Sequence, residues 1–135
     1  MTTTDIFFDT NVLLYALTND AVKADRSEEL LRAGGAVSVQ VLNECVSALR
    51  RKFKARWPKV EQASARIRSL CVVVPLTEET HVRGLAIAIR YKLHPYDGMI
   101  LATALLAGCS TLFSEDMQNG FAIEGLTIRN PYRRT

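Results

Sequence analysis

Short apolar runs alternate along this chain with stretches in which apolar residues recur every three or four positions. The two periods predict strands alternating with helices. Ile6-Phe7-Phe8 is the first apolar run; it ends at Asp9 and reads as a buried strand. Residues 11–17 begin a helix or turn into one, and residues 21–32 are rich in helix formers up to the stop at Gly34-Gly35. Residues 36–39 form a second strand. From Gln40 the period changes: Leu42, Cys45, Val46, Leu49 and Phe53 fall on one face of an amphipathic helix, ended or interrupted by Pro58. Val60, Ala63, Ile67 and Leu70 give another helical stripe, and Val72-Val73-Val74 is a β-branched strand closed by Pro75. Val82, Leu85, Ala86 and Ile89 mark a further helix. Pro95 and Gly98 bracket a turn around Asp97, and residues 99–107, apolar nearly all round, form a buried helix stopped by Gly108. Thr111-Leu112-Phe113 and Leu126-Thr127-Ile128 are the last strands. The expected fold class is α/β: a single domain over residues 1–135, with a mostly parallel central sheet and helices on both faces.

Composition narrows the class. With 135 residues the chain has the size of one domain, and 48% hydrophobic with 23% charged residues is ordinary for a globular protein. A net charge of +3 permits a polyanionic partner without demanding one. Cys45, Cys71 and Cys109 are odd in number, have apolar neighbours and form no CxxC pair, so they read as reduced, buried side chains of a cytoplasmic protein. The opening Met1-Thr-Thr-Thr-Asp5 lacks the basic segment and apolar run of a signal peptide. Residues 99–107 are the longest nearly apolar stretch, well short of the roughly 20 residues that a membrane span needs.

Candidate chemistry lies in the placing of four acids. Asp9 stands at the carboxyl end of the first expected strand, and Asp116 just beyond the end of residues 111–113. Ligands of open parallel sheets bind outside the carboxyl ends of strands, where the strand order switches. Glu44 lies in the first turns of the helix after the second strand, and Asp97 at the start of the buried apolar helix. Each acid alone has a plain structural explanation: a helix cap for Asp97, a solvated face for Glu44, a turn for Asp116. Asp9 is harder to explain this way, because a carboxylate between Ile6-Phe7-Phe8 and Val12-Leu13-Leu14 needs a cation or strong donors. Gathered at one end of a sheet, the four acids would repel one another and raise their own pKa values. A divalent cation would relieve that cost and suit phosphodiester cleavage. The two histidines, His81 and His94, stand in no recognisable pairing.

Four segments carry a family resemblance. Phe8-Asp9-Thr10-Asn11-Val12-Leu13-Leu14-Tyr15-Ala16, Gln40-Val41-Leu42-Asn43-Glu44, Tyr96-Asp97-Gly98-Met99-Ile100-Leu101-Ala102 and Leu112-Phe113-Ser114-Glu115-Asp116-Met117 resemble, in order, the acidic motifs of PIN domains. Residues 125–131 resemble the closing strand of the toxin branch called VapC. The resemblance implies a ribonuclease using Mg²⁺ or Mn²⁺, the toxin of a toxin–antitoxin pair. By position it implies Asp9, Asp97 and Asp116 as direct or water-mediated metal ligands, with Glu44 completing the pocket. It implies Ser114 as a hydroxyl beside the pocket that orients a ligand or water, and Asn11 as a support for Asp9. It favours Asp116 over Glu115 as ligand. The expected product carries a 5′-phosphate, and the expected partners are RNA, a cognate antitoxin and a second copy of the chain in a homodimer, with no membrane.

The segment Arg50-Arg51-Lys52-Phe53-Lys54-Ala55-Arg56 holds five cations in seven residues, and Arg66, Arg68, Arg129, Arg133 and Arg134 add others. They could hold RNA phosphates, form a solvated face, or line a groove for an antitoxin; sequence does not rank these. Phe53, placed in the core stripe, is expected to be a poor stacking surface. Leu13, Leu14 and Tyr15 offer a possible interface. The competing functions are a PIN-fold RNA-processing nuclease outside a toxin pair and an inactive binding module. A phosphate-accepting receiver-like domain is disfavoured by the absence of a lysine after Thr111.

Overall fold

The computed structural model describes residues 5–17 and 20–133. The strands are β1 (Ile6–Phe8), β2 (Gly35–Ser38), β3 (Cys71–Val74), β4 (Thr111–Phe113), β5 (Ala122–Ile123) and β6 (Leu126–Arg129). The helices are α1 (Thr10–Tyr15), α2 (Ala21–Ala33), α3 (Val39–Arg51), α4 (Trp57–Leu70), α5 (Glu78–Tyr91) and α6 (Pro95–Leu106). The expected α/β domain is therefore the one observed.

One six-stranded sheet runs in the order β3-β2-β1-β4-β6-β5. All pairings are parallel except that of β5 with β6. Along β1 and β2 successive residues point to opposite faces, yet Phe7, Phe8, Ala36 and Val37 are all fully buried. Both faces of the sheet centre are thus covered, which is why these strands read as continuous apolar runs. The chain winds from β1 outward through β2 to β3, then returns to place β4 on the other side of β1. The strand order therefore switches between β1 and β4.

The short strand β5 is absent from the sequence reading. It spans two residues and is tied to β6 through Glu124 and Gly125, both at positive φ (47° and 89°). That is the backbone of a two-residue hairpin turn, which suits glycine and costs glutamate.

Four expectations change in detail. The stripe ending at Phe53 overshoots, because α3 stops at Arg51 and Phe53 is 48% exposed. Pro58 does not break a helix; it sits in the first turn of α4, where a missing N–H costs nothing. Helix α5 exists where expected, but Val82, Leu85 and Ile89 face outward, and the buried side is Thr80, Gly84, Ile87 and Ala88. Pro95 to Gly98 is no turn: those residues form the first turn of α6, whose N-cap is His94, with Nδ1 accepting from the Tyr96 N–H at 3.1 Å.

The last two corrections share one cause. Helices α5 and α6 touch backbone to backbone. A Cβ on Gly98 would stand 2.4 Å from the Gly84 carbonyl oxygen, and one on Gly84 would stand 2.7 Å from Met99 Cα. Small residues must face this crossing, so Val82, Leu85 and Ile89 of α5 are left outside. Gly98→Ala is expected to lower unfolding free energy by about 1–3 kcal/mol through overpacking, read from urea denaturation. A stability equal to wild type would mean that the helices can part without cost.

Candidate active site

The β1–β4 switch point is held together by side chains as well as by the sheet. The Asp9 N–H donates to the Phe113 carbonyl at 3.0 Å, extending the ladder one residue past β1. Asp9 is also the N-cap of α1, with Oδ1 accepting from the Thr10 N–H at 2.7 Å. Its Oδ2 accepts from the Ser114 hydroxyl at 2.7 Å and from Asn11 Nδ2 at 3.3 Å. Asn11 reaches further: Nδ2 lies 3.4 Å from Asp116 Oδ2, and Oδ1 accepts from the Glu115 N–H at 3.0 Å. One amide thus joins Asp9 to the loop that carries Asp116.

Ser114 is fully buried, and its oxygen also accepts from the Met117 N–H at 3.2 Å. It stands behind Asp9 rather than on the surface a ligand would meet. The geometry gives it the work of fixing Asp9.

The four expected acids share one cleft of about 390 Å³, lined by Asp9, Glu44, Asp97 and Asp116 together with Thr10, Asn11, Leu14, Tyr15, Lys52, Phe53 and Ile100. Asp9 comes from the end of β1, Glu44 from the inward edge of α3, Asp97 from the first turn of α6, and Asp116 from the loop after β4. Asp97 is thus the third residue of its helix and not the cap, while Glu44 is half-buried and not a solvated surface acid. Glu115 takes another course. It accepts from Lys23 Nζ at 2.6 Å and from the Tyr15 hydroxyl. Burial opposes its ionisation, but those two donors outweigh burial and hold its carboxyl below the usual range.

Electrostatics set the acids apart from an ordinary surface. Burial pushes the Asp9 pKa up; the Ser114 and Thr10 bonds oppose this, and the charges of Asp97 and Asp116 add to the rise. Burial also raises Glu44, opposed by a bond from Gln40 and reinforced by Asp9 and Asp97. Asp97 is raised by burial and by Asp116, with His94 pulling the other way. The acids therefore sense one another. Among the described residues no group of three His, Cys, Asp or Glu side chains is arranged to hold a metal ion. The carboxylates line an open cleft and form no closed cage.

Other expectations resolve as follows. The three cysteines are buried, with thiols pushed up to about 11 chiefly by burial. Leu13 is fully buried and belongs to the core, whereas Leu14 and Tyr15 are half-buried and line the cleft, with Tyr15 packed edge-on against Tyr132. Arg66 is paired with Glu28. Residues 1–4 and Arg134 lie outside the described residues. No helix among the described residues is long and apolar enough to cross a membrane.

Residues 6–121 match the PIN domain family, and the chain belongs to that family. Its fold is similar to a chain of a toxin–antitoxin complex from Klebsiella pneumoniae, at 23% identity and TM-score 0.72, over 96% of this chain and 99% of that one. It is also similar to VapC20 of Mycobacterium tuberculosis, described as a sarcin–ricin loop cleaving toxin (19% identity, TM-score 0.68, 82% and 91% covered). A third similar structure is DNA-bound VapBC from Salmonella typhimurium (18%, 0.66, 96% and 99%). No curated protein sequence matches the chain.

The raised pKa of Asp97 makes a thermal prediction. Its carboxyl binds a proton more tightly folded than unfolded, so its ionisation opposes folding once the pH rises past the ordinary value of 3.8. In EDTA at pH 7, Asp97→Asn should therefore raise Tm. The gain should fade as the pH is lowered below 3.8. A lower Tm at pH 7 would contradict this account of the cleft.

Proposed function

We propose that this chain is a metal-dependent endoribonuclease of the VapC type, hydrolysing RNA phosphodiester bonds and neutralised by a cognate antitoxin. The observation that carries the reading is the convergence of Asp9, Glu44, Asp97 and Asp116 on one cleft at the switch point, with three of them raised in pKa. Family membership and the likeness to toxin chains support it.

The donor set suits Mg²⁺ or Mn²⁺. Every polar side chain in the cleft other than Lys52 offers oxygen, and Thr10 Oγ1 is buried without a hydrogen-bond partner beside Asp9. Mg²⁺ keeps several waters and takes one or two carboxylates plus phosphate oxygens, so an open cleft fits it better than a cage would. Asp9, Asp97 and Asp116 would hold the ion directly or through its waters, and Glu44 would complete the acidic wall. The ion would offset the charge of the phosphate and favour ionisation of water.

The chain's own groups do the rest. Ser114, Thr10 and Asn11 fix the Asp9 carboxylate, so its position is set before substrate arrives. Glu44, which holds a proton more readily than a free carboxyl and stands at the cleft wall, can accept the proton of an attacking water. Attack in line on phosphorus then expels the 3′-oxygen and leaves a 5′-phosphate. An antitoxin partner is supported by the similar structures that are toxin–antitoxin complexes. A homodimer and a cytoplasmic location complete the proposal.

Purified protein incubated with end-labelled RNA and Mg²⁺ or Mn²⁺ should give fragments with 5′-phosphates, and EDTA should abolish cleavage. Asp9→Asn should reduce cleavage to background. Ser114→Ala, acting one shell away, should cost about 10- to 100-fold. A 2′,3′-cyclic phosphate product would contradict the mechanism. Absence of cleavage from every RNA tried would favour the inactive binding module.

A further inference from the structure

Phe53 is the aromatic residue that sequence assigned to the core and the structure puts outside it. It is 48% exposed and lines the acidic cleft beside Lys52. It also lines an adjoining groove of about 420 Å³, with Leu14 and Leu17 and the cations Lys54, Arg56 and Lys59. Phe53 and Leu14 are thus the wall common to both hollows.

The backbone that carries the ring is fixed by hydrogen bonds. The Lys52 and Phe53 N–H groups both donate to the Ala48 carbonyl, at 2.8 and 3.3 Å, closing the end of α3. Lys54 then takes a left-handed conformation (φ 53°), and the Ala55 N–H returns to the Leu49 carbonyl at 2.9 Å. Arg50 Nη1 donates to the Ala55 carbonyl at 2.9 Å, and its guanidinium lies over the Trp57 ring at 4.1 Å. A β-region backbone at Lys54 would be cheaper, but the observed turn leaves a large apolar ring in water between an acidic and a basic hollow.

We infer that Phe53 is a nucleobase-stacking subsite for single-stranded RNA, receiving a base next to the scissile phosphate while Lys52, Lys54, Arg56 and Lys59 attract the backbone running away from the acids. The inference rests on the nuclease reading above and adds a binding residue to it. Exposed aromatic rings interleaved with cations suit unpaired bases, because every base offers a flat face and each nucleotide brings a phosphate. The charge pattern fits as well: four acids where the phosphodiester is to be cut, cations where the strand must be held.

The test uses full-length protein carrying Asp9→Asn, which should bind RNA without cutting it, and a fluorescein-labelled all-uridine decamer followed by anisotropy. Phe53→Ala should weaken binding about 5- to 100-fold without changing the slope of affinity against salt. Phe53→Trp should bind as tightly as the parent, and Phe53→Leu should remain weak. Lys54→Ala should instead lower the salt slope by about one. Circular dichroism melts verify that each variant is folded. Equal RNA affinity in Phe53→Ala and the parent overturns the subsite, as does a loss confined to self-association in sedimentation, which would make the ring a protein contact. In an otherwise wild-type background, metal-dependent cleavage with an unaltered KM in Phe53→Ala would overturn the subsite and leave the nuclease reading intact. No cleavage by wild type, with RNA affinity still lost in Phe53→Ala, would overturn the nuclease reading and sustain the subsite.

Discussion

The Ser114 hydroxyl donates to the Asp9 carboxylate at 2.7 Å, and this bond ties the carboxyl ends of the two central strands together. Asp9 follows Phe7 and Phe8, both fully buried, and is itself 6% exposed. A carboxylate there loses most of its hydration, at a cost that in proteins amounts to several kcal/mol unless donors replace the water. Thr10, Asn11 and Ser114 supply such donors. Only the parallel pairing of β1 with β4, Phe8 beside Phe113, brings Ser114 within reach. The sheet order and the site are therefore one arrangement.

The remaining acids are delivered by helices whose packing leaves little freedom. Ser38 caps α3 by accepting from the Val41 N–H at 3.1 Å, and Val41, Leu42, Cys45 and Leu49 bury its inner face, which fixes Glu44 at the cleft edge. The glycine contact between α5 and α6 fixes the first turn of α6 and with it Asp97. Lys23 and Tyr15 engage Glu115, leaving its neighbour Asp116 to face the cleft. Burial and mutual repulsion raise three of the acids, so the metal-free cleft stores a cost that a cation or a protonation would relieve.

Much of this was legible in the sequence, for identifiable reasons. Strands buried on both faces appear as unbroken apolar runs, so β1 and the acid that follows it stood out. A two-residue strand carries no period, and β5 is made by its hairpin turn. The outward stripe of α5 misled because apolar spacing reports an amphipathic helix without saying which face meets the core; there the core face needed glycine. Phe53 misled because a helical stripe was extended beyond the end of its helix. Pro58, pre-set for a first helical turn, leaves residues 52–56 as a connection, and that signal could have placed the ring outside the core. The bond of Asn11 to Asp9 was implied by the family resemblance, but its reach to Asp116 and to the Glu115 N–H lies beyond any pattern of spacing, because those groups are more than a hundred positions away.

The central claim is the proposal that the acidic cleft built around Asp9 takes up a divalent cation. Isothermal calorimetry with Mn²⁺, in two buffers of different ionisation enthalpy at mildly acidic pH, tests it most directly. The account predicts Mn²⁺ binding accompanied by proton release, because acids with raised pKa values must ionise to take the ion, and loss of both signals in Asp9→Asn. Mn²⁺ binding that is unaltered by Asp9→Asn, or no binding by the wild-type chain, would contradict it.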